Sequence, residues 1–253
     1  MVSMFQITVS VDSCRADWLY SVEDVIQNKL EDCYGVCALH ESGKRVYCAF
    51  GCESENRASL LAAVKECLIE LYAVVVKFDY IKRNLPLSLP RLRYEILLRT
   101  LVAFDRENEH KLLNSVVNVE DGLALDGLFN FRLVELKERW LEICGLTKSN
   151  CTYLLDDDTY NELLRFLISA VNPKINKLTV CERDGNYRLT GRLKNRALEL
   201  NAEDSLELMY YLIDLAPLEV EIDGAISNNE LSRRLVGIFD AKTRTNFKNK
   251  TKK

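Results

Sequence analysis

The stretch Asp126-Gly127-Leu128-Phe129-Asn130-Phe131-Arg132-Leu133 lies in a predicted helix that carries apolar residues on two faces. One face consists of Leu125, Phe129, Leu133, Leu136 and Trp140, and the other consists of Phe131, Val134 and Leu141. Apolar residues on two sides are typical of a helix that is buried between neighbours. The stretch therefore predicts a helical centre for the fold.

Two polar side chains in this stretch, Asn130 and Arg132, fall at the edges of the apolar faces. We expect both to be partly buried, and buried polar groups need hydrogen-bond partners. Together with Arg165 on a later helix they are candidates for an internal polar clamp or, alternatively, for an interaction site. Arg165 points away from the apolar stripe of its own helix, which predicts a solvated side chain.

Two further helices are predicted before this stretch. The first begins near Ser54, because its apolar residues are spaced 3, 4, 3, 4, 3: Leu61, Val64, Leu68, Leu71, Val75 and Phe78. Prolines at 86 and 90 end it, and Tyr94, Leu97, Leu101 and Phe104 start a second stripe. We expect the two helices to pack on each other, with coiled-coil pairing of the first as the alternative.

A fourth helix follows Asp156-Asp157-Asp158, with apolar residues at Tyr160, Leu163, Leu164, Leu167 and Val171. Acidic residues directly before an apolar-periodic segment are typical of a helix N-terminus, where they cap backbone N–H groups and match the helix dipole. We therefore interpret the acidic triple as a cap, with divalent metal binding as the alternative.

The two ends of the chain show strand patterns. Residues 4–11 alternate as a strand and precede a helix at 17–32 and two short strands. Residues 174–195 predict a hairpin around Asp184-Gly185, followed by a helix at 202–215, a strand at 218–222 and a helix at 228–240. The expected fold class is α+β: a mainly helical centre with a small N-terminal β-α-β-β unit and a C-terminal ββαβα unit. The expected divisions are 1–53, 54–171, 172–240 and a basic, disordered tail at 241–253.

The composition favours a folded protein without a membrane span. The 253 residues are 48% hydrophobic, and the formal net charge of -4 argues against a surface built wholly for nucleic acid. The alternation at the N-terminus differs from the unbroken apolar core of a signal peptide. Charged residues interrupt the most apolar segment, 60–78, so no transmembrane segment is predicted and a cytoplasmic location is expected.

Nine cysteines invite a metal or redox interpretation, and Cys33, Cys37, Cys48 and Cys52 resemble two CxxxC units. If Ser42-Gly43 is the centre of a hairpin, Cys37 faces Cys48 and Cys33 faces Cys52. The two pairs then lie roughly 13 Å apart at about 3.3 Å per residue, too far for one tetrahedral zinc site. Buried structural thiols, a cross-strand disulfide or redox pair, and a metal site in a different arrangement all stay open.

No catalytic residue, cofactor site or metal site is predicted. His40 and His110 stand outside any Ser/His/Asp or HExxH pattern, and both Gly-rich phosphate-loop motifs are missing from the sequence. The chain is therefore interpreted as a non-enzyme. An enzyme whose site combines Arg132, Asp214 and a cysteine is the less favoured alternative.

The tail from Ala241 onward carries six cations and no acidic residue: Lys242, Arg244, Lys248, Lys250, Lys252 and Lys253. Such a segment can form weak electrostatic contacts with nucleic acid or an anionic membrane surface, both of which weaken as salt rises. A disordered, solubilising end is the other interpretation.

Three blocks in the second half, at 127–133, 160–168 and 212–217, occur in the same order as in the YtxC-like putative sporulation protein family. The chain resembles that family from about Asp121 to Asp240, including the Asp184-Gly185 turn. The resemblance implies an endospore-forming bacterial host and brings no reaction, cofactor or partner with it. We therefore expect a sporulation-associated protein that acts through contacts with a protein partner. Binding of nucleic acid or an anionic membrane through the basic tail is the alternative.

Overall fold

The computed structural model describes residues 3–21, 29–30, 34–150, 153–193 and 196–244. The chain forms two compact units, the first from Met1–Leu85 with Arg106–Gly145 and the second from Pro86–Asp105 with Leu146–Lys253. These interleaved units replace the consecutive divisions expected from the sequence, since the predicted helical centre at 54–171 contributes helices to both. The α+β fold class is confirmed, because each unit contains a sheet and helices.

The first unit contains a four-stranded sheet with the order β2-β3-β1-β4. Its strands are β1 (Met4–Asp12), β2 (Val36–Ser42), β3 (Arg45–Glu53) and β4 (Leu123–Ala124). The three N-terminal strands agree with the β-α-β-β prediction, whereas the two-residue β4, parallel to β1, was not predicted. The helix expected at 17–32 is described as α1 (Asp17–Tyr20) and two helical residues at 29–30, and most of the rest lies outside the described residues.

The predicted register of the β2-β3 hairpin is wrong by two residues. Its turn is centred on Gly43-Lys44, where Gly43 has φ +62, so Cys37 faces Phe50 and Cys48 faces Leu39. Glycine at the first central position supplies the positive φ that a two-residue hairpin turn requires there. Because a two-residue shift keeps each side chain on its own face, Cys48 and Cys52 are still buried with Phe50. Cys33 lies outside the described residues.

Apart from α1, the helices of the first unit come after β3 in the chain. They are α2 (Arg57–Glu70), a π-helix (Leu71–Val76), α3 (Lys77–Asn84), α5 (Arg106–Val116), α6 (Leu125–Phe131) and α7 (Val134–Ser149, which continues into the second unit); α4 (Arg91–Ala103) belongs to the second unit. The π-helix changes which residues face the core. Upstream, Val64, Leu68 and Leu71 of the predicted stripe are buried and Leu61 is half-buried. Downstream, Val75 and Phe78 are only half-buried, and Val76 and Ile81 are buried instead.

The helix pairing predicted from the two stripes is also wrong. Helix α2 packs on α5 within the first unit, whereas α4 packs on two helices of the second unit, α8 (Asp157–Ser169) and α9 (Ser205–Leu215). Both helices therefore have their main partners within their own units.

The helix predicted around Phe129 is interrupted between Phe131 and Val134, which separates α6 from α7. The first apolar face is confirmed, since Leu125, Phe129, Leu133, Leu136 and Trp140 are all buried. The second face is wrong: Phe131, Val134 and Leu141 are exposed, and Phe131 is 81% exposed. The helix is therefore covered on one side only.

A buried ion pair connects three helices of the first unit. The Lys77 Nζ lies 2.8 Å from Oε1 of Glu109, and the Trp140 Nε1 donates a 2.8 Å hydrogen bond to the same carboxylate. Lys77 is 0% exposed and Glu109 is 1% exposed. Lys77 follows the π-helix directly, so the change of phase places its side chain on the core side. We call this arrangement the Glu109 junction.

The second unit contains a five-stranded sheet with the order β7-β6-β5-β8-β9. Its strands are β5 (Lys177–Arg183), β6 (Asn186–Leu193), β7 (Arg196–Ala202), β8 (Glu219–Asp223) and β9 (Lys242–Arg244), and α10 (Asn229–Phe239) precedes β9. The predicted hairpin, its Asp184-Gly185 turn, and the later helices and strand are confirmed. Strands β7 and β9 were not predicted, so the ββαβα unit is βββαβαβ.

Within the described residues, no helix is both long enough and apolar enough to cross a membrane.

Replacing Lys77 with Met should destabilise the first unit by about 3–5 kcal/mol, because it leaves the Glu109 carboxylate buried without its cation. Urea unfolding followed by tryptophan fluorescence measures this unit selectively, since both tryptophans of the chain, Trp18 and Trp140, lie in it.

The matched control is Arg139→Ala, which removes an exposed pair with Glu135 one helical turn away. Such pairs contribute about 0.5 kcal/mol or less. A Lys77→Met loss no larger than that of the control would show that the Glu109 junction does not stabilise the unit.

Candidate functional site

The two candidate polar residues of the first unit, Asn130 and Arg132, are exposed, so the expectation of partial burial is wrong. The polar clamp at this position comes from another residue. The Lys137 Nζ donates a 2.9 Å hydrogen bond to the Asn130 carbonyl and lies 5.2 Å from the centre of the Phe129 ring. Lys137 thus holds the end of α6 and leaves the side chain of Arg132 at the surface.

Arg132 lines a surface cleft with a volume of about 350 Å³. We call it the Phe131 cleft, and its lining residues are Val116, Asn118, Glu120, Asp121, Gly122, Leu123, Ala124, Gly127, Leu128, Phe131 and Arg132. The volume falls within the range of roughly 300–1,000 Å³ that is typical of ligand pockets. Two residues of the quoted stretch, Phe131 and Arg132, therefore meet at one concave surface.

Hydrogen bonds fix the loop that forms one wall of this cleft. The Asp121 Oδ1 accepts from the Thr8 N–H at 2.8 Å, and the Gly122 N–H donates to the Thr8 carbonyl at 2.8 Å. On the other wall, the buried Tyr72 hydroxyl donates to the Leu125 carbonyl at 2.8 Å, at the start of α6. The cleft is thus tied to β1 and to the π-helix.

Aromatic side chains of the core pack against the buried side of α6. The Phe129 ring meets Trp18 edge-on at 5.4 Å and Tyr80 edge-on at 5.9 Å, and Tyr80 lies 5.5 Å from Trp140. Edge-to-face pairs at these distances add to the stabilisation from burial. Phe129 is therefore held in the core, while Phe131, two residues later, points into solvent.

The cleft is lined by both apolar and polar side chains. Its floor is apolar, and its polar groups are one amide, two carboxylates and one guanidinium, from Asn118, Glu120, Asp121 and Arg132. The lining residues include no serine, cysteine, histidine or lysine, the side chains that most often act as nucleophiles or bases.

The third candidate residue, Arg165, lies in the second unit on α8. Its side chain is exposed, as predicted, and its guanidinium donates to the Gly237 carbonyl from Nε at 3.0 Å and from Nη2 at 2.7 Å. Carbonyls in the last turn of a helix lack intrahelical partners, so a cation there is favourable. Arg165 thus clamps the end of α10, and this contact is structural.

The acidic triple before α8 is a helix cap, as predicted. The Asp156 Oδ2 accepts from the Thr159 N–H at 2.9 Å, and this hydrogen bond holds the pKa of the Asp156 carboxyl below its usual range. Asp157 forms an ion pair with Arg93. Among the described residues, no group of three or more His, Cys, Asp or Glu side chains is arranged to hold a metal ion.

The first part of the basic tail is a strand, which corrects the expectation of disorder from residue 241. Lys242 and Arg244 lie in β9, and the Lys242 Nζ is 3.6 Å from the Glu219 carboxylate of β8. The positive charge of Lys242 is therefore partly offset by an acidic residue of the sheet. The other tail candidates, Lys248, Lys250, Lys252 and Lys253, lie outside the described residues.

The residues of the enzymatic alternative lie in different units. Arg132 belongs to the first unit, whereas Asp214 belongs to the second and pairs with Arg99 at 2.5 Å. Burial raises the pKa of the Cys67 thiol to about 11, which opposes formation of a reactive thiolate. His40 is exposed, and His110 lies 3.9 Å from Glu70.

Sequence reasoning missed the acidic wall of the Phe131 cleft. Glu120 and Asp121 precede the tiny strand β4 in a segment without strong periodicity, so nothing in the sequence placed them beside Arg132. A Gly directly after two acidic residues, at 122, was the available turn signal.

The chain matches no protein-family model, no curated protein and no solved structure.

Replacing Asp156 with Ala should lower the thermal stability of the second unit at neutral pH, with a difference that disappears in acid. The folded-state pKa of Asp156 is depressed, so its stabilising effect is present above the unfolded pKa of about 3.9 and is lost as pH falls through the folded value. Far-UV circular dichroism melts over a series of pH values from neutral into acid measure it.

Asp156→Asn is the matched control, since asparagine caps helices about as well as aspartate. It should retain most of the stability at neutral pH. An equal loss in the Asn and Ala variants would contradict the capping role.

Proposed function

We propose that the chain is a non-catalytic binding protein whose Phe131 cleft holds an apolar side chain of a partner protein. The setting we propose is the cytoplasm of an endospore-forming bacterium, during sporulation, as the resemblance to the YtxC-like family implies. The observation that carries the binding proposal is Phe131 itself, a large aromatic side chain that is 81% exposed beside an apolar-floored cleft.

The exposure of Phe131 has an energetic consequence. Burial of a phenylalanine side chain contributes about 1.5–3 kcal/mol, which corresponds to roughly a 10- to 100-fold change in affinity. Exposed aromatic residues next to a concavity are typical anchors of protein interfaces. The packing of Phe129 in the core and the hydrogen bond from Tyr72 hold α6 in place. Phe131 is therefore positioned before a partner binds.

The charges around the cleft define the partner segment. Two carboxylates, from Glu120 and Asp121, outnumber the guanidinium of Arg132. A segment with one large apolar residue flanked by Lys or Arg complements this surface, whereas an acidic segment would be repelled.

Selection from a displayed random-peptide library should therefore enrich peptides in which a large apolar residue stands next to Lys or Arg. The Phe131→Ser protein should bind the selected peptides roughly 10- to 100-fold more weakly, because the anchor's apolar surface is lost. Affinities are measured by isothermal titration calorimetry with synthetic peptides.

Phe166→Ser is the matched control, since Phe166 is also an exposed phenylalanine on a helix but lies in the second unit. It should leave the affinities unchanged. Equal enrichment on the wild-type and Phe131→Ser proteins, or an acidic consensus, would reject the cleft as the binding site.

The sporulation setting has its own test. Deletion of the gene in its endospore-forming host should reduce the yield of heat-resistant spores and leave vegetative growth unchanged. Complementation with the Phe131→Ser protein should restore less of the yield than the Phe166→Ser protein. An undiminished spore yield in the deletion strain would count against this setting without bearing on peptide binding.

A further inference from the structure

A second concave surface lies on the sheet of the second unit, where β5 begins and β6 ends. It has a volume of about 700 Å³, and we call it the Arg192 cleft. Its lining residues are Lys174, Ile175, Asn176, Lys177, Thr179, Thr190, Gly191 and Arg192. Three of the eight are cations and none is acidic, although the whole chain carries a net charge of -4.

Strand alternation places the polar groups of this cleft on one face of the sheet. Leu178 and its partner Gly191 point to the side where Leu178 is buried, so their neighbours point to the opposite side. Thr179 faces Thr190 across the two strands, and Lys177 and Arg192 follow at the strand ends. The cleft thus combines two hydroxyl groups with two cations at one end of the strand pair, and the neighbouring strands place Glu199 and Glu221 beside the hydroxyl groups.

The cleft is held in shape by its backbone. A Cβ atom on Gly191 would lie 2.5 Å from Cδ1 of Ile175 and 2.9 Å from the Lys177 carbonyl oxygen, so only glycine lets Ile175 pack there. The same segment is hydrogen-bonded on its other side, since the Lys174 N–H donates to the Leu215 carbonyl and the Leu218 N–H donates to the Ile175 carbonyl. The backbone that carries the donors of the cleft is therefore fixed.

The charge on Arg192 is not matched by the sheet. Three other cations of this face have carboxylate partners: Arg188 with Glu199 at 2.5 Å, Lys177 with Glu221 at 2.5 Å and Lys242 with Glu219 at 3.6 Å. Arg192 instead faces Ala197 on β7, and the described residues provide no carboxylate or hydrogen-bond acceptor for its guanidinium.

We propose that the Arg192 cleft binds the phosphate group of a small phosphorylated ligand. The Arg192 guanidinium and two hydroxyl groups supply the charge-assisted and neutral hydrogen bonds that phosphate oxygens accept, and Lys174 lines the same cleft. The lining contains no aromatic residue on which a base could stack, so the recognised chemistry is the phosphate rather than a nucleobase. This site is separate from the Phe131 cleft and does not depend on the partner proposed for it.

Titration of the full chain with pyrophosphate, followed by amide NMR, tests this site. Saturable shifts are expected at Thr179, Thr190 and Arg192, and the affinity should fall by about tenfold or more in Arg192→Gln, which loses the charge-assisted contact. Arg183→Gln removes an exposed cation at the other end of β5 and should leave the affinity unchanged.

A parallel titration with phosphatidylglycerol vesicles separates a lipid headgroup from a soluble phosphate as the source. Binding of pyrophosphate or of vesicles that is weakened by Arg192→Gln, and not by Arg183→Gln, supports the site and identifies its source. Shifts reproduced by sodium chloride at equal ionic strength, equal affinities in both variants, or no binding of either probe would overturn it.

Discussion

The Glu109 junction is the interaction on which the first unit depends. One carboxylate accepts hydrogen bonds from Lys77 at the start of α3 and from Trp140 in α7, and it is itself carried by α5. Both charges are removed from water, so the loss of either partner would leave the other charge buried and unpaired. The Phe131 cleft lies at the ends of two of these helices: Val116 is the last residue of α5, and Arg132 lies two residues before the start of α7.

The π-helix explains how a lysine reaches the core. In a regular α-helix, the 3, 4 spacing would place Val75 and Phe78 on the face that packs against the core, and Lys77 would lie beside that face. The wider turn at Leu71–Val76 shifts the helix phase, so Val76, Lys77 and Ile81 face inward. The Tyr72 hydroxyl in the same segment also holds the start of α6. A local irregularity thus positions both the buried ion pair and one wall of the cleft.

Periodicity predicted the elements whose burial repeats regularly. The stripe of α8, its Asp156 cap and the hairpin at Asp184-Gly185 are present, because each depends on residues close in sequence. The elements that were missed depend on distant contacts. The two-residue β4 is a strand only because it pairs with β1. Likewise, β9 is a strand because it pairs with β8 at the edge of the second sheet. Each unit likewise combines segments that are distant in sequence, which no local pattern encodes.

The candidate site was predictable only in part. The stretch Asp126–Leu133 drew attention to Phe131 and Arg132. The sequence suggested that both were at least partly buried, because an uninterrupted helix would place Phe131 on a second apolar face. In the structure the helix is interrupted before Val134, and Phe131 and Arg132 line a surface cleft together with the acidic loop at 120–121. Burial of the opposite face, at Phe129 and Leu133, was predicted because those residues keep the helical spacing.

Hydrogen exchange in the Glu109→Gln protein tests most directly whether the Glu109 junction holds the Phe131 cleft. The amides to follow are those of Gly122, bonded to the Thr8 carbonyl, and Arg132, bonded to the Leu128 carbonyl, with the β3 amide of Phe50 as the reference within the same unit. Loss of the junction should accelerate exchange at Gly122 and Arg132 more than at Phe50. Unchanged protection at the two cleft amides would contradict it.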